Sequence, residues 1–322
     1  MNDSQFLSQC TADAIDSAAS KLIAGHLVAF PTETVYGLGA DASNEEAVRR
    51  IYEVKGRPAD HPLIVHISSI NKLNVWALDA PGYAIELAHK FWPGPLTLVL
   101  NRTSEAKDFI TGFQDTVAIR IPSNPDALNL IQLFESLGGK GIVAPSANRF
   151  GHVSATTASA ALEELGEFLS ANDSILDGGS CEFGIESTII DCSGTTPRIL
   201  RLGAITENMI QQVVGRLESD KSNNNIRVSG ALEKHYAPKA RIFLDQAPIA
   251  GQGFIALSNF ATPEGVIRLS SPRTPIEYAH DLYESLRTAD KLELSDVVAF
   301  SPPGDGISAA IRDRLLKASR GR

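Results

Sequence analysis

Two cations separated by one residue, Lys55 and Arg57, are the feature of this chain that most directly suggests chemistry. They stand where a predicted helix should stop, and Gly56 and Pro58 keep the backbone there out of the helical conformation. A guanidinium offers a planar fork for phosphate or carboxylate, and an ammonium offers a compact charge. The pair therefore predicts a site for a small anion. An equally open alternative is a helix C-terminus whose cations favour the helix dipole.

Hydroxyl groups follow the strand predicted at Leu27–Phe30. Thr32, Thr34 and Tyr36 alternate along the chain there, so their hydroxyls could face a ligand at the carboxyl end of the strand. This is the edge at which open α/β sheets bind ligands. The simpler alternative is that Thr and Tyr are good strand residues.

Two later segments carry further polar candidates. Arg120 lies in a strand that reads as buried, where its charge needs a partner, and a structural salt bridge is the commoner explanation. Ser146, Asn148 and Ser154 fall in a polar loop between a strand and a helix. Such loops commonly hold ligands, although the Ser-x-Asn pair could form a turn only.

Composition narrows the class of protein. The chain has 322 residues, 43% of them hydrophobic, and a net charge of −9. The negative charge opposes nucleic-acid binding by overall attraction and leaves room for a local basic pocket. The three cysteines show no CxxC spacing, so we expect a reducing, cytoplasmic setting. No apolar run reaches the roughly 18 residues of a membrane span, and the N-terminus does not read as a secretory signal.

Some sites are excluded by motif. The sequence has no Gly-x-x-x-x-Gly-Lys-Ser/Thr loop and no His-x-x-x-His metal pair, so no resident metal is expected. His66 alone is more often a core or hydrogen-bonded histidine than a catalytic one.

The elements that must position these groups form a mixed α/β pattern with more strands than a plain βαβ alternation. Strands are predicted at Leu27–Phe30, Leu63–Ile67, Leu96–Leu100, Val117–Ile121, Ile142–Ala144, Ser174–Leu176, Ser187–Asp191 and Arg198–Leu202. Helices are predicted over Thr11–Ala24, after a Ser43-x-x-Glu46 capping box, and over Pro81–Trp92, Pro125–Leu137, Thr156–Leu165 and Thr206–Arg216.

A polar stretch with three consecutive Asn, from Glu218 to about Leu232, reads as an interdomain linker. We therefore predict a first domain over residues 1–216, a linker over 217–233 and a smaller α/β domain over 234–322. The second domain should contain strands Arg241–Leu244, Phe254–Leu257, Val266–Leu269 and Val297–Phe300, with helices near Pro275–Leu292 and Ser308–Ala318.

Eight segments in order resemble the threonylcarbamoyl-AMP synthase family, which is built on the YrdC-like domain. They are PTETVYGLG (Pro31–Gly39), KGRP (Lys55–Pro58), the strand ending at His66, WPGPLT (Trp92–Thr97), VAIRIP (Val117–Pro122), APSAN (Ala144–Asn148), GIESTIID (Gly184–Asp191) and Arg201-x-Gly203. Beyond the linker, KHYAPKA (Lys234–Ala240) and DRLLKAS (Asp313–Ser319) resemble the C-terminal domain of the long, two-domain form.

The resemblance implies an α/β fold in which a strongly twisted mixed sheet surrounds a cationic cavity, with a small Rossmann-like C-terminal domain. It implies that ATP, accompanied by Mg²⁺, reacts with L-threonine and bicarbonate to give threonylcarbamoyl-AMP and pyrophosphate. The product would pass to a tRNA threonylcarbamoyl transferase. No membrane partner is implied, and direct tRNA binding stays open.

The resemblance also assigns roles to matching residues. The threonine-binding candidates are Thr34, His66, Arg120, Ala144 and Ser187. The ATP-binding candidates are Arg57, His61, Thr116, Ser146, Asn148, Ser154, Arg201 and Tyr236. Lys55 and Arg57 are the catalytic candidates, since cations would lower the repulsion between two anionic reactants. His61 departs from the Asn expected in this context, and no general base is assigned.

Other functions stay open at this point. An RNA-binding protein could use the same cationic cavity without turnover, although the acidic balance opposes it. A carbamoyltransferase of the hydrogenase-maturation kind contains a similar domain, but it would also carry zinc-binding cysteine motifs. The C-terminal domain could act as a lid, with its HYAP segment over bound nucleotide, or as a docking module. Oligomeric state and strictness for threonine are not encoded in any pattern we recognise.

Overall fold

A large mixed sheet forms the first part of the molecule. The computed structural model describes residues 6–218, 226–230 and 235–321. The strands of the large sheet are β1 (Leu7–Gln9), β2 (Val28–Phe30), β3 (Gly37–Asp41), β4 (Ile64–His66), β5 (Leu96–Asn101), β6 (Thr116–Arg120), β7 (Ile142–Val143), β8 (Ser174–Asp177), β9 (Thr188–Asp191) and β10 (Arg198–Arg201). Its helices are α1 (Ala12–Ile23), α2 (Glu45–Lys55), α3 (Leu73–Trp76), α4 (Gly82–Phe91), α5 (Asp108–Thr111), α6 (Pro125–Ser136), α7 (Ala158–Leu165) and α8 (Glu207–Val214).

The order of the strands brings distant segments together. It runs β1-β8-β2-β3-β7-β4-β6-β5-β9-β10, with parallel and antiparallel neighbours, which confirms the mixed sheet that was predicted. The parallel pair β4 and β6 lies near the middle, and its register sets His66 directly beside Arg120. Two candidate site residues, 54 positions apart in sequence (120 − 66), are thus neighbours at one sheet edge.

Helix ends follow local chemistry, with one correction. Helix α2 ends at Lys55, and Gly56 adopts a left-handed backbone with φ +62°, as the Gly-x-Pro context predicted. The predicted Ser43 capping box is wrong. Asn44 is the N-cap, because its side-chain oxygen accepts a hydrogen bond from the backbone N–H of Ala47 at 3.1 Å. Ser43 stands one residue outside the helix.

The second domain is built on a small parallel sheet. Its strands β11 (Arg241–Leu244), β12 (Gly253–Ile255), β13 (Ile267–Ser270) and β14 (Asp296–Ala299) lie in the order β11-β14-β12-β13, with helices α9 (Pro275–Lys291) and α10 (Ile307–Ser319). All four strands were predicted, with ends displaced by two residues or fewer. In the first domain, strands β1 and β3 and the short helices α3 and α5 were not predicted.

The two domains share one apolar core. Val35, Val153 and Ile185 of the first domain pack in the same buried cluster as Tyr278 and Leu282 of α9. The predicted domain boundaries remain a prediction, because residues 219–225 and 231–234 of the linker region lie outside the described residues. Within the described ranges, no helix is both long and apolar enough to cross a membrane.

The domains pack closely at Gly184, which has φ +70°. A Cβ built there would lie 2.6 Å from the carbonyl oxygen of Ala279 in α9. Backbone atoms cannot step aside as a flexible side chain would, so only glycine fits this contact.

We predict that Gly184→Ala lowers stability, because it adds both backbone strain and a clash between domains. The clash should cost about 1–3 kcal/mol, read as a fall in melting temperature. Gly179→Ala is the matched control, since Gly179 has a similar φ of +79° with no atom within 4 Å of a built Cβ. Equal melting temperatures for the two variants would contradict the tight domain contact.

Candidate active site

A small cavity opens where β4 and β6 end. Its free volume is about 40 Å³, which holds a few water molecules. Its walls come from seven places in the sequence, namely Thr32–Gly37, β4, the end of β6, the loop after β7, the residues just before β9, the end of β10 and Ser229. The lining residues are Thr32, Thr34, Val35, Tyr36, Gly37, Ile64, His66, Arg120, Ala144, Pro145, Ser146, Glu186, Ser187, Arg201 and Ser229.

All five threonine-binding candidates line this one cavity. They are Thr34, His66, Arg120, Ala144 and Ser187. Thr32, Thr34 and Tyr36, whose alternating hydroxyls were predicted to face a ligand, also line this cavity, and their ligand-binding role stays a prediction. Hydrogen bonds among Thr32, Thr34 and the carbonyl of Val35 fix this turn.

Arg120 is held rigidly at the cavity wall. Its Nη1 donates to the hydroxyl of Thr34 at 2.9 Å, and its Nη2 donates to Glu33 Oε1 at 2.6 Å. Both members of the ion pair are buried. The structural salt bridge considered for this arginine is therefore present, and the guanidinium lines the cavity as well. Glu33 was not among the predicted residues, and its Oε2 has no partner among the described residues.

His66 is a neutral imidazole. Burial, together with the charge of Arg120, lowers its pKa to about 3. Its Nδ1 is buried and has no hydrogen-bond partner among the residues that the structure describes. A neutral imidazole donates from one ring nitrogen and accepts at the other. The side chain can therefore serve a polar ligand group without adding charge to the cavity.

Arg201 forms the opposite wall with Ser187. Its Nε donates to the Ser187 carbonyl at 2.9 Å, and its Nη2 donates to the Ser187 hydroxyl at 3.0 Å. Nη1 donates to the carbonyl of Ser229 at 2.9 Å. Burial lowers the pKa of Arg201. The guanidinium thus joins β9, β10 and the described part of the predicted linker around the same space.

The two catalytic candidates, Lys55 and Arg57, differ in their position relative to the cavity. Lys55 is buried, and its Nζ donates to the carbonyl oxygens of Ser146, at 2.5 Å, and of Asn148. Burial, reinforced by the charge of Arg57, holds the pKa of Lys55 well below its usual range. Lys55 therefore supports the loop that forms a cavity wall, and it does not line the cavity itself.

Arg57 lies between the cavity and the linker. Its Nη2 donates to the carbonyl of Pro62 at 2.9 Å, and its Nη1 donates to the hydroxyl of Ser229 at 3.3 Å. Burial lowers its pKa to about 10. These contacts do not fit the alternative given equal weight for the Lys-x-Arg pair, in which the two cations only favour the dipole at the end of the helix.

The remaining nucleotide candidates spread outward from the cavity. Ser146 lines it, and Thr116 lines an adjoining slot covered by Val228. His61 is half-buried, and its ring meets Phe150 edge-on at 5.3 Å. Burial, together with the charge of Arg57, lowers the pKa of His61.

Three buried polar candidates lie deeper. The side-chain N–H groups of Asn148 bond to loop carbonyls, and its Oδ1 has no partner among the described residues. Ser154 donates to Glu186 at 2.6 Å. Tyr236, with φ +60°, stacks on Tyr283 with 5.5 Å between ring centroids.

The cavity is less purely cationic than was predicted. Arg120 and Arg201 line it and Arg57 bonds to its lining residue Ser229, but Glu33 is paired with Arg120 and Glu186 forms part of the wall. A buried cation needs such a partner, because charge without compensation is costly to remove from water. Among the described residues, no group of three His, Cys, Asp or Glu side chains could hold a metal ion.

We predict that Lys55→Ala destabilises the protein, because it removes the donor to two buried carbonyls. Each buried carbonyl left without its donor costs about 1–3 kcal/mol. The expected result is a lower melting temperature than that of the Lys90→Ala control, which removes an exposed lysine of α4. Unchanged melting for both variants would remove the loop-supporting role of Lys55.

Two family models match the chain, one for each sheet. The model described as "Telomere recombination" matches residues 20–203, which include β2 to β10. The model described as "Threonylcarbamoyl-AMP synthase, C-terminal domain" matches residues 205–320, which include β11 to β14.

Curated relatives are similar over nearly the whole chain. The threonylcarbamoyl-AMP synthase of Pyrococcus abyssi is 40% identical, over 94% of this chain and 93% of its own length. The threonylcarbamoyl-AMP synthase of Bacillus subtilis is 39% identical, over 96% of this chain and 93% of its own length.

Solved structures agree with the fold. P. abyssi Sua5 complexed with L-threonine matches with a TM-score of 0.86 at 36% identity, covering 98% of this chain and 96% of that one. E. coli YciO matches with a TM-score of 0.51 at 21% identity, over 61% of this chain and 92% of its own. The second likeness concerns the fold alone.

Proposed function

The chain belongs to the threonylcarbamoyl-AMP synthase family, and from this we propose that it makes threonylcarbamoyl-AMP and pyrophosphate from L-threonine, bicarbonate and ATP. It is thus an ATP-using transferase. The observation that carries the proposal is the convergence of Thr34, His66, Arg120, Ala144 and Ser187 on one cavity. The similarity to a structure complexed with L-threonine supports it.

The threonine end of the cavity suits an amino acid. The fixed guanidinium of Arg120 offers a charged donor for a carboxylate. The neutral imidazole of His66 and the hydroxyl of Thr34 can serve the amine and the side-chain hydroxyl. A neutral group beside the amine matters, because the amine must lose its proton before it can attack.

The reaction has an electrostatic obstacle. The threonine nitrogen forms a bond to the bicarbonate carbon, and water is lost, giving an N-carboxylate. A carboxylate oxygen then attacks the α-phosphorus of ATP, and the bond to the β-phosphate breaks as pyrophosphate leaves. Two anions must therefore meet, and fixed cations lower that repulsion and stabilise the charge on the leaving group.

Arg57 and Arg201 are the residues that can supply this stabilisation. Both guanidiniums reach the same residue of the cavity rim, Ser229, through its hydroxyl and its carbonyl. The charge of Arg201 lies close enough to contribute to the lowered pKa of Arg57. Lys55 acts through the loop it holds, with Ser146 and Asn148 as its partners.

Magnesium enters this scheme as the counterion of ATP. Mg²⁺ is commonly held by substrate phosphates and water with few protein ligands. We propose that Mg²⁺ arrives here with the nucleotide.

The cavity must open for substrates to enter, since about 40 Å³ cannot hold ATP. Val228 and Ser229 cover the apolar slot beside Thr116, and Tyr236 lies beside Arg201 at the same rim. Movement of this cover would admit nucleotide, and its return would keep water from the labile mixed anhydride. A lid role for the HYAP segment therefore fits better than docking alone.

The product's chemistry places the enzyme before a second one. A carbamoyl-adenylate is an activated acyl donor, so we propose that it passes to a tRNA threonylcarbamoyl transferase in the cytoplasm. Nothing observed favours the RNA-binding alternative. The described cavity is small and holds buried carboxylates, whereas nucleic-acid surfaces are broad and basic.

Pyrophosphate release tests the proposal. We expect release only when ATP, L-threonine, bicarbonate and Mg²⁺ are all present, because the attacking anion forms from L-threonine and bicarbonate, ATP supplies the phosphorus that is attacked, and ATP needs its counterion. Omitting each component in turn is the control. Release that is independent of threonine or bicarbonate would refute the reaction.

We expect His66→Gln to raise the KM for threonine by about 10- to 100-fold, the worth of one or two hydrogen bonds to a buried substrate. The KM for ATP should change little, because His66 lies at the amino-acid end. His89→Gln, an exposed histidine of α4, is the matched control. An equal rise in both KM values would argue against this assignment.

A further inference from the structure

Glu186 is a buried carboxylate of the cavity wall for which the proposed reaction has no use. It is 6% exposed and lines the cavity next to Ser187. An anion at this place opposes ATP and the N-carboxylate, both of which are negative. Some other feature must therefore offset its charge.

Three side-chain donors surround this carboxylate. Its Oε1 accepts a hydrogen bond from Ser154 at 2.6 Å, and its Oε2 accepts from Arg314 Nε at 3.0 Å. The single hydroxyl proton of Tyr283 is shared between the two oxygens, which lie 2.9 Å (Oε2) and 3.2 Å (Oε1) from it. These donors and the nearby arginines bring the pKa of Glu186 to about 2, so it is a poor general base.

The compensating groups come from the second domain. Tyr283 belongs to α9 and Arg314 to α10, and both are fully buried. Arg314 also donates from Nη2 to the carbonyl of Leu202 at 2.8 Å, directly after β10. Tyr236 packs against both, because its ring lies 5.4 Å from the guanidinium of Arg314 and stacks on Tyr283.

We propose that Arg314 is a positioning residue of the adenylate-forming site, which neutralises Glu186 and so lets two anionic substrates occupy the cavity. This rests on the proposed function. The C-terminal domain would then contribute to catalysis through a fixed charge, independently of any lid movement. Arg314 touches no substrate, and it acts through Glu186.

The proposal predicts a pH signature. The titratable groups that face Glu186 are Arg201, Tyr236 and His235 around the cavity rim and Tyr283 and Arg314 from the second domain. Arg314 also pairs through Nη1 with Asp313 of its own helix at 2.7 Å, while its Nε faces Glu186. Burial raises the pKa of Glu186, but the charges of Arg314 and Arg201 outweigh it and bring the pKa to about 2. Without the charge of Arg314, less opposes the effect of burial, so the pKa of Glu186 rises.

The sign follows from these directions. In Arg314→Met, Glu186 is an uncompensated anion at high pH and becomes neutral as pH falls through its raised pKa. The ratio of the variant's KM for ATP to that of the wild type should therefore grow as pH rises. In the wild type Glu186 stays ionised and compensated, so taking the ratio removes the titration of the substrates.

The test is a double-mutant cycle in the full chain with Arg314→Met, Glu186→Gln and both together. We expect Arg314→Met to raise the KM for ATP at least tenfold at pH 8. Adding Glu186→Gln should restore it to within about threefold of the wild type and abolish the pH trend of the ratio. Arg312→Met is the control, because Arg312 lies on the same helix and donates only to carbonyls of its own domain.

Independent effects of the two substitutions, or a KM ratio without pH dependence, would overturn the proposal. If Arg314→Met does not fold, Arg314→Lys replaces it as the test, and it should keep the KM for ATP near that of the wild type. A Lys variant that folds but loses ATP affinity would equally contradict a charge role. Wild-type chain that releases no pyrophosphate would instead refute the proposed function.

Discussion

The pairing of buried charges is the constraint on which this structure depends. An acidic chain places several arginines in one water-poor cavity, and each must be compensated without cancelling the attraction for anionic ligands. Arg120 is paired with Glu33, and Arg314 is paired with Glu186. Arg57 and Arg201 bond to carbonyls and hydroxyls, which are uncharged and so leave the charge of both guanidiniums effective.

This arrangement explains why the second domain is joined so closely to the first. Its helices supply two groups to Glu186, and its apolar core continues into Val153 and Ile185. Ile185 of the shared core, the carboxylate of Glu186 and Ser187 of the cavity wall follow one another directly in sequence. A change in how the domains meet would therefore be felt at the cavity.

Much of the cavity lining could be predicted from the sequence. Strand ends and polar loops located Thr34, Ser146 and Arg120, and the Gly-x-Pro context located the end of α2. The polar stretch after Glu218 and the patterns beyond it predicted the second domain. The resemblance to a family added the remaining site residues, namely His61, Ala144, Ser187, Arg201 and Tyr236. Strand β3 was missed because its GLGAD sequence has two glycines and no β-branched residue.

What the sequence could not reveal is pairing over long distances. Glu186 lies 97 positions from Tyr283 and 128 positions from Arg314, and no spacing rule joins such residues. Glu33 precedes Thr34 in a recognised segment, yet its role depends on Arg120 in another strand. The capping error at Ser43 has a smaller cause, since Ser43 and Asn44 are both good N-caps and the path of the chain chooses between them.

The shared core also bears on how the protein is made. Val35, Val153 and Ile185 pack against α9. Until α9 has been synthesised, the first domain therefore exposes these apolar side chains while it is still on the ribosome. Nascent chains with such a face are prone to association. Fragments cut at the domain junction should expose the same apolar face and associate in the same way, so the intact polypeptide is the better choice for expression.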